Sequence, residues 1–140
     1  FGDPETQPIL LRMKSDLINL CFEAAEGKLV KSEIVWDERV SLGVVMAAGG
    51  YPNNYDKGLE ISGLLEDETE DLKIFHAGTS LNKEDKVVTN GGRVLCVTAL
   101  GSNTKEAKEK AYRRVKSIKW EKAYFRRDIG YRALNREADE

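Results

Sequence analysis

The run Val94–Leu100 is apolar at every position except Thr98, with glycines on both flanks at Gly91-Gly92 and Gly101. A strand with one face in water alternates, and this run does not. It therefore predicts a central strand covered on both faces. Directly after it, Asn103 followed by Glu106 has capping-box spacing, and Ala107, Ala111, Val115 and Ile118 form one apolar stripe. This predicts an amphipathic helix over Thr104–Ile118, folded back onto the strand. A second stripe, Leu10, Met13, Leu17, Cys21 and Ala24, recurs at spacings of three and four and predicts one helix from Pro8 to a left-handed cap at Gly27.

Between the two helices the period changes to two. Val40, Leu42, Val44 and Met46 alternate as a strand, and with Ile34-Val35-Trp36 and a turn at Asp37-Glu38-Arg39 they suggest a hairpin. The stretch from Ala47 to Asn54 is a loop, rich in glycine, proline and asparagine. Leu59–Ser62, Lys73–Ala77 and Lys86–Thr89 read as further short strands, with an acidic surface run at Glu66–Asp71 and a turn-rich link from Gly78 to Asp85. Asn90-Gly91 is a hairpin signal into the central strand. Tyr124-Phe125 adds one more short strand, and Asn135–Glu140 reads as a frayed tail. The expected fold is α+β: a largely antiparallel sheet with two amphipathic helices on one face.

Composition changes this picture little. A chain of 140 residues suits one core, and 41% hydrophobic with 33% charged residues is an ordinary soluble balance. No apolar stretch approaches a membrane span, and a formal charge of -2 implies no pull on nucleic acid. Cys21 and Cys96 lie among apolar residues and read as small hydrophobes. With no leader pattern, a cytoplasmic protein with reduced thiols is expected. The chain opens on Phe1 rather than methionine, which suggests a piece of something longer.

Candidate chemistry is sparse. His76 is the only histidine and reads as structural, and neither thiol has basic neighbours that favour a thiolate. The basic residues Lys105, Lys108, Lys110, Arg113, Arg114, Lys116 and Lys119 read as a solvated helix face, with Glu106 and Glu109 spaced to pair with Lys110 and Arg113. No aromatic platform accompanies them in sequence. Arg126-Arg127-Asp128 reads as an arginine held by a neighbouring carboxylate. Gly49-Gly50 and Gly91-Gly92 match neither the dinucleotide fingerprint nor the phosphate loop. FGDPETQ, at Phe1–Gln7, places a carboxylate beside a proline-fixed turn at a helix start; a site role and capping by Asp3 or Thr6 explain it equally well.

Five ordered blocks go further: FGDPETQPILLRMKSDL at Phe1–Leu17, VVMAAGGYP at Val44–Pro52, FHAGT at Phe75–Thr79, VVTNGGRVLCVTALG at Val87–Gly101 and YFRRDIGYRAL at Tyr124–Leu134. Together they resemble the C-terminal part of the phosphoribosylamine-glycine ligase (glycinamide ribonucleotide synthetase) family. The resemblance implies the C-terminal domain of an ATP-grasp ligase of purine synthesis. Its substrates would be glycine and 5-phosphoribosylamine, and its cofactors Mg2+ (or Mn2+) and ATP. It also implies that the family's metal ligands precede FGDPE and lie outside this chain, leaving no catalytic and no metal residue here and no cofactor bound by the fragment alone. By motif position, Gly2, Asp3, Pro4 and Glu5 would line the pocket where glycine meets the transferred phosphate, with Asp3 or Glu5 facing a substrate amine. Residues 1–27 would be the end of the catalytic region and a linking helix, and residues 28–140 the C-terminal domain. The N-terminal and ATP-grasp domains would be its partners, against an apolar surface near Phe1 and the outer side of the first helix. The other reading is a noncatalytic docking or substrate-binding module of a nicked or truncated enzyme.

Overall fold

A computed structural model describes residues 2–29, 33–64 and 69–139. In chain order the elements are α1 (Thr6–Arg12), α2 (Leu17–Ala25), β1 (Val40–Ala47), β2 (Leu72–His76), β3 (Thr79–Leu81), β4 (Val87–Thr89), β5 (Arg93–Gly101), α3 (Thr104–Ser117), β6 (Tyr124–Phe125) and α4 (Tyr131–Ala138). The main sheet has the order β2-β5-β1-β6, and β3 and β4 form a separate pair. All of these pairings are antiparallel. The α+β class and the antiparallel sheet are as expected; the described residues hold four helices rather than two.

β5 is the central strand, and Val94 to Leu100 are all buried. Its neighbours meet it in register, Val44 and Ile74 both opposite Val97, and Leu42 and Leu72 both opposite Ala99. Successive side chains on a strand point to opposite faces. Leu42, Val44, Met46, Leu95, Val97 and Ala99 thus share one face, where they form a single core with Ala107, Ala111, Val115 and Ile118 of α3. The opposite face is covered by α1: a Cβ placed on Gly43 would lie 3.0 Å from Pro8 Cγ and 3.1 Å from Cys96 Sγ. The expectation of both helices on one face is therefore wrong. A strand apolar on both sides needs cover on both.

The helix expected from Pro8 to Gly27 is broken in two. Asp16 Oδ1 accepts hydrogen bonds from the backbone N–H groups of Ile18 (2.8 Å) and Asn19 (3.2 Å), so it caps a new helix. Before it, Met13 is extended and bridges Trp36, Lys14 N donates to Val35 O, and Val35 N donates to Ser15 Oγ. Ile34-Val35-Trp36 thus pairs with the break between the helices and forms no hairpin with β1. Gly27, at φ +69°, does end α2 as the left-handed cap.

Other connections also differ. Leu59–Ser62 makes only isolated bridges, from Glu60 to Val88 and from Ser62 to Lys119. The link from Gly78 to Asp85 contains β3, which takes β4 as its partner, so Asn90-Gly91 passes the chain between sheets instead of closing a hairpin. The expected frayed tail is largely α4, held by Glu137, whose Oε1 accepts from the backbone N–H of Thr104 (3.2 Å) and from its hydroxyl. That carboxylate meets the first turn of α3, where the helix dipole favours negative charge. At the same end Asn103 Oδ1 accepts from Glu106 N, while Glu106 Oε2 accepts from Ser102 N and Oγ, one residue off the expected capping box. Of the acidic run, residues 66–68 lie outside the described set, as does Phe1.

One polar knot ties the helix break to the sheet. Asp37 is buried and accepts from Arg39 Nε (2.9 Å) and Nη2 (2.8 Å) in a fork, from Arg39 N (3.0 Å), and pairs with Lys14 Nζ at 3.3 Å. Its backbone exchanges hydrogen bonds with Arg12: Asp37 N donates to Arg12 O, and Arg12 Nε donates to Asp37 O. Arg39 also reaches Asp71 at 2.7 Å, ahead of β2. The Arg39 fork holds the Asp37 carboxyl well below 3.8, its ordinary value, and hydrogen bonds from Ser102 with Lys110 bring Glu106 from 4.5 to about 2.

Both groups are depressed in the folded chain, so the stabilisation they give is present above their ordinary values and is lost as the pH falls through the folded ones. Thermal unfolding of Asp37→Asn should show a lower melting temperature at pH 7 and a shallower decline below about pH 4 than the parent. Identical acid limbs for the two proteins would remove Asp37 from this role.

Candidate functional site

The loops at one end of the main sheet converge where β1 and β2 end and β5 begins. Ala48 N donates to Gly92 O (2.8 Å), Ala77 N and Gly78 N both donate to Val94 O, and Asn90 N donates to Gly78 O (2.7 Å). Gly92 is buried beneath two aromatic rings, and a Cβ there would fall 2.2 Å from Tyr51 Cδ2 and 3.1 Å from Tyr55 Cε1. Only glycine fits this approach. The loops that carry the two glycine pairs singled out in the sequence thus meet, through Ala48 and Tyr51 against Gly92.

Arg93 leaves these loops and pairs with Asp3, Nη2 to Oδ2 at 2.7 Å. The capping reading of FGDPETQ does not hold. The N-cap of α1 is Glu5, with no side-chain cap hydrogen bond, and Thr6 Oγ1 donates to Gly2 O. Asp3 does not cap the helix; it faces the head of β5. Gly2, Asp3, Pro4 and Glu5 are all exposed, and the Glu5 carboxylate folds back over Gly2, where a Cβ would lie 2.4 Å from Glu5 Oε2. An exposed ion pair adds roughly 0–1 kcal/mol to stability. The Asp3–Arg93 pair therefore contributes little to the fold, and what it shows is the direction of the Asp3 carboxylate, toward the head of β5. Sequence reasoning missed Arg93, although it sits directly after the glycine pair.

The remaining candidates fall elsewhere. His76 is exposed at the end of β2, with Nδ1 3.0 Å from Thr79 Oγ1. Cys96 is buried under α1 and burial pushes its thiol up, while Cys21, expected to behave as a core hydrophobe, is exposed. Arg126 is held by Asp128 at 2.7 Å, as the pairing reading anticipates. Glu106 pairs with Lys110 at 3.0 Å, whereas Glu109 makes no ion pair with Arg113 among the described residues. Among those residues no group of three or more His, Cys, Asp or Glu side chains is placed to hold a metal ion, and no helix is long and apolar enough to cross a membrane.

An antiparallel α+β domain with glycine-packed loops and an aspartate aimed at the head of its central strand is what the geometry defines. Residues 41–132 match the family described as phosphoribosylglycinamide synthetase, C domain, and the chain belongs to it. It is 60% identical over 137 residues to the phosphoribosylamine–glycine ligase of Escherichia coli O157:H7 and 58% identical to that of Salmonella typhimurium strain LT2, in each case over 98% of this chain and 32% of the relative. A crystal structure of the phosphoribosylamine–glycine ligase of Thermotoga maritima matches with a TM-score of 0.76 at 38% identity, over 92% of this chain and 31% of that one. The chain thus spans about a third of the length of these relatives.

The loop packing can be tested at Gly92. Gly92→Ala should destabilise the chain by about 1–3 kcal/mol in urea unfolding, the range for overpacking, and adding Tyr51→Ala should recover part of that loss. A single variant within about 0.5 kcal/mol of the parent would mean the Tyr51 ring does not rest there.

Proposed function

We propose that this chain is the C-terminal part of an ATP-dependent ligase that joins glycine to 5-phosphoribosylamine, giving glycinamide ribonucleotide, ADP and phosphate in the cytoplasmic synthesis of purines. The observation that carries it is the alignment of nearly the whole chain with about a third of each phosphoribosylamine–glycine ligase it resembles. Residues 1–27 are assigned as the end of the catalytic region and its link, and residues 28–140 as the C-terminal domain.

In this reading Gly2, Asp3, Pro4 and Glu5 line the substrate pocket. Support comes from Asp3, which is exposed, is not used as a helix cap, and is oriented by Arg93 from the loop end of the sheet. A carboxylate held in this way favours a substrate ammonium or orients an amine for attack. Magnesium and ATP supply phosphoryl activation of the glycine carboxylate in such a ligase. Among the described residues no group of three or more His, Cys, Asp or Glu side chains is placed to hold that metal. The part played by this chain is binding and orientation.

The same reading draws on α2. No residue of that helix is buried, and Leu17, Ile18 and Phe22 stand exposed, as do Ile34, Val35 and Trp36 of the segment that pairs with the helix break. An apolar surface of this kind suits cover by the N-terminal and ATP-grasp domains, and it lies on the second half of the stretch where a single helix was expected.

Two outcomes check the proposal. The isolated chain should form no ADP in response to glycine and phosphoribosylamine, and turnover by the rigorously purified chain would end this reading. In the full-length enzyme, Asp3→Asn should lower turnover by about 2–4 kcal/mol of transition-state stabilisation while thermal stability shifts by less than about 1 kcal/mol. Activity within about threefold of the parent, about 0.6 kcal/mol, would remove Asp3 from the site.

A further inference from the structure

α3 runs beside the edge strand β6, and between them lies an open groove of about 870 Å³. Its walls carry five cationic side chains, Lys105, Lys108, Arg113, Lys116 and Arg127, against the single carboxylate of Glu109. None of the five belongs to an ion pair among the described residues. Arg12, Lys14, Arg39, Lys86, Arg93, Lys110, Lys122 and Arg126, in contrast, are each held by a carboxylate or a backbone carbonyl. In a chain with a formal charge of -2, five cations without an ion pair thus line a single groove. From Lys105 to Lys116 the cations follow one side of α3 for about 16 Å at 1.5 Å per residue.

The floor of the groove is aromatic. Tyr112 and Phe125 pack with ring centroids 6.2 Å apart at 55°, and Lys108 Nζ stands 5.8 Å from the Tyr112 ring. The tyrosine is fixed by its hydroxyl, which donates to Arg126 O (2.6 Å) and accepts from Ile129 N (3.2 Å). Tyr112 belongs to α3 itself, among the basic residues, and Phe125 comes from the far side of the groove, so the basic face does have an aromatic platform, contrary to expectation. The groove is separate from the Asp3–Arg93 end, since α3 and α1 cover opposite faces of the sheet.

We propose that this groove binds an organic polyphosphate of the nucleotide class, its phosphates against Lys108, Arg113, Lys116 and Arg127 and its ring against Phe125. Guanidinium groups match phosphate oxygens as a fork, and an aromatic face accepts a planar base without needing specific hydrogen bonds. The combination selects for a ligand with both parts. Bare phosphate chains would use only the cations, and a nucleoside only the ring.

Calorimetric titration of the 140-residue chain at low salt with ATP, tripolyphosphate and adenosine separates these contributions. ATP should bind saturably and at least about tenfold more tightly than tripolyphosphate, with adenosine weaker than either, because the base adds a stacking contact to those of the phosphates. The double variant Arg113→Gln, Arg127→Gln should weaken ATP by at least about tenfold, and Phe125→Leu should reduce ATP to the affinity of tripolyphosphate. Circular dichroism confirms that the variants stay folded; the two arginines are exposed, so the double variant remains a usable test if Phe125→Leu unfolds. Equal affinity of ATP and tripolyphosphate for the parent, an unchanged affinity in the double arginine variant, or no saturable binding of ATP would each overturn the proposal.

Discussion

Seven consecutive buried positions in one strand set the architecture. Val94 to Leu100 leave β5 no face for water, so both faces and both edges of the strand must be occupied. β1 and β2 take the edges in matching register, α3 takes one face with its alanine-rich stripe, and α1 takes the other, with Pro8 against Gly43. Small residues make the cover close: Ala99, Ala107 and Ala111 are fully buried, and a Cβ on Gly101 would strike Ala107 N at 2.3 Å. Enlarging one of these residues would move a helix rather than a side chain, because packed interiors have no slack to absorb it.

What could be read from sequence was what the local pattern decides. The burial of β5, the parity of Leu42, Val44 and Met46, the stripe of α3 and the cap at Gly27 all follow from periodicity or from one residue's conformational preference. The break at Met13–Asp16 was hidden because the apolar spacing continues across it, and only Ser15-Asp16 carried the cap signal. Asn90-Gly91 had hairpin chemistry, yet β5 is claimed by β1 and β2 and β4 by β3, so long-range pairing overrode the local turn. The candidate site divides in the same way. Asp3 is legible beside its proline, but Arg93 becomes its partner only once the chain has folded.

The surface of this domain is unevenly finished. Around Asp37 every charge is answered, with Arg39, Lys14 and Asp71 joined in one network. Along α2 apolar side chains face outward, and in the groove beside α3 five cations face a single carboxylate. Under the proposed reading, the first of these faces is the one that the ligase's other domains would cover. The groove beside α3 has the opposite chemistry, so one occupant does not suit both faces.

The two tryptophans occupy opposite situations. Trp120 is 8% exposed and belongs to the core under α3, whereas Trp36 is 40% exposed on the segment that bridges the helix break, alongside Pro8, Ile9 and Arg12 of α1. Indole emission shifts to the blue when water is excluded from the ring, so the intrinsic fluorescence of this chain contains two separable reporters. The red component from Trp36 senses whatever settles on the linking segment, and the blue component from Trp120 is lost only when the core opens. Covering the apolar face and unfolding the domain would therefore move the spectrum in opposite directions, and the chain carries its own label for distinguishing assembly from denaturation.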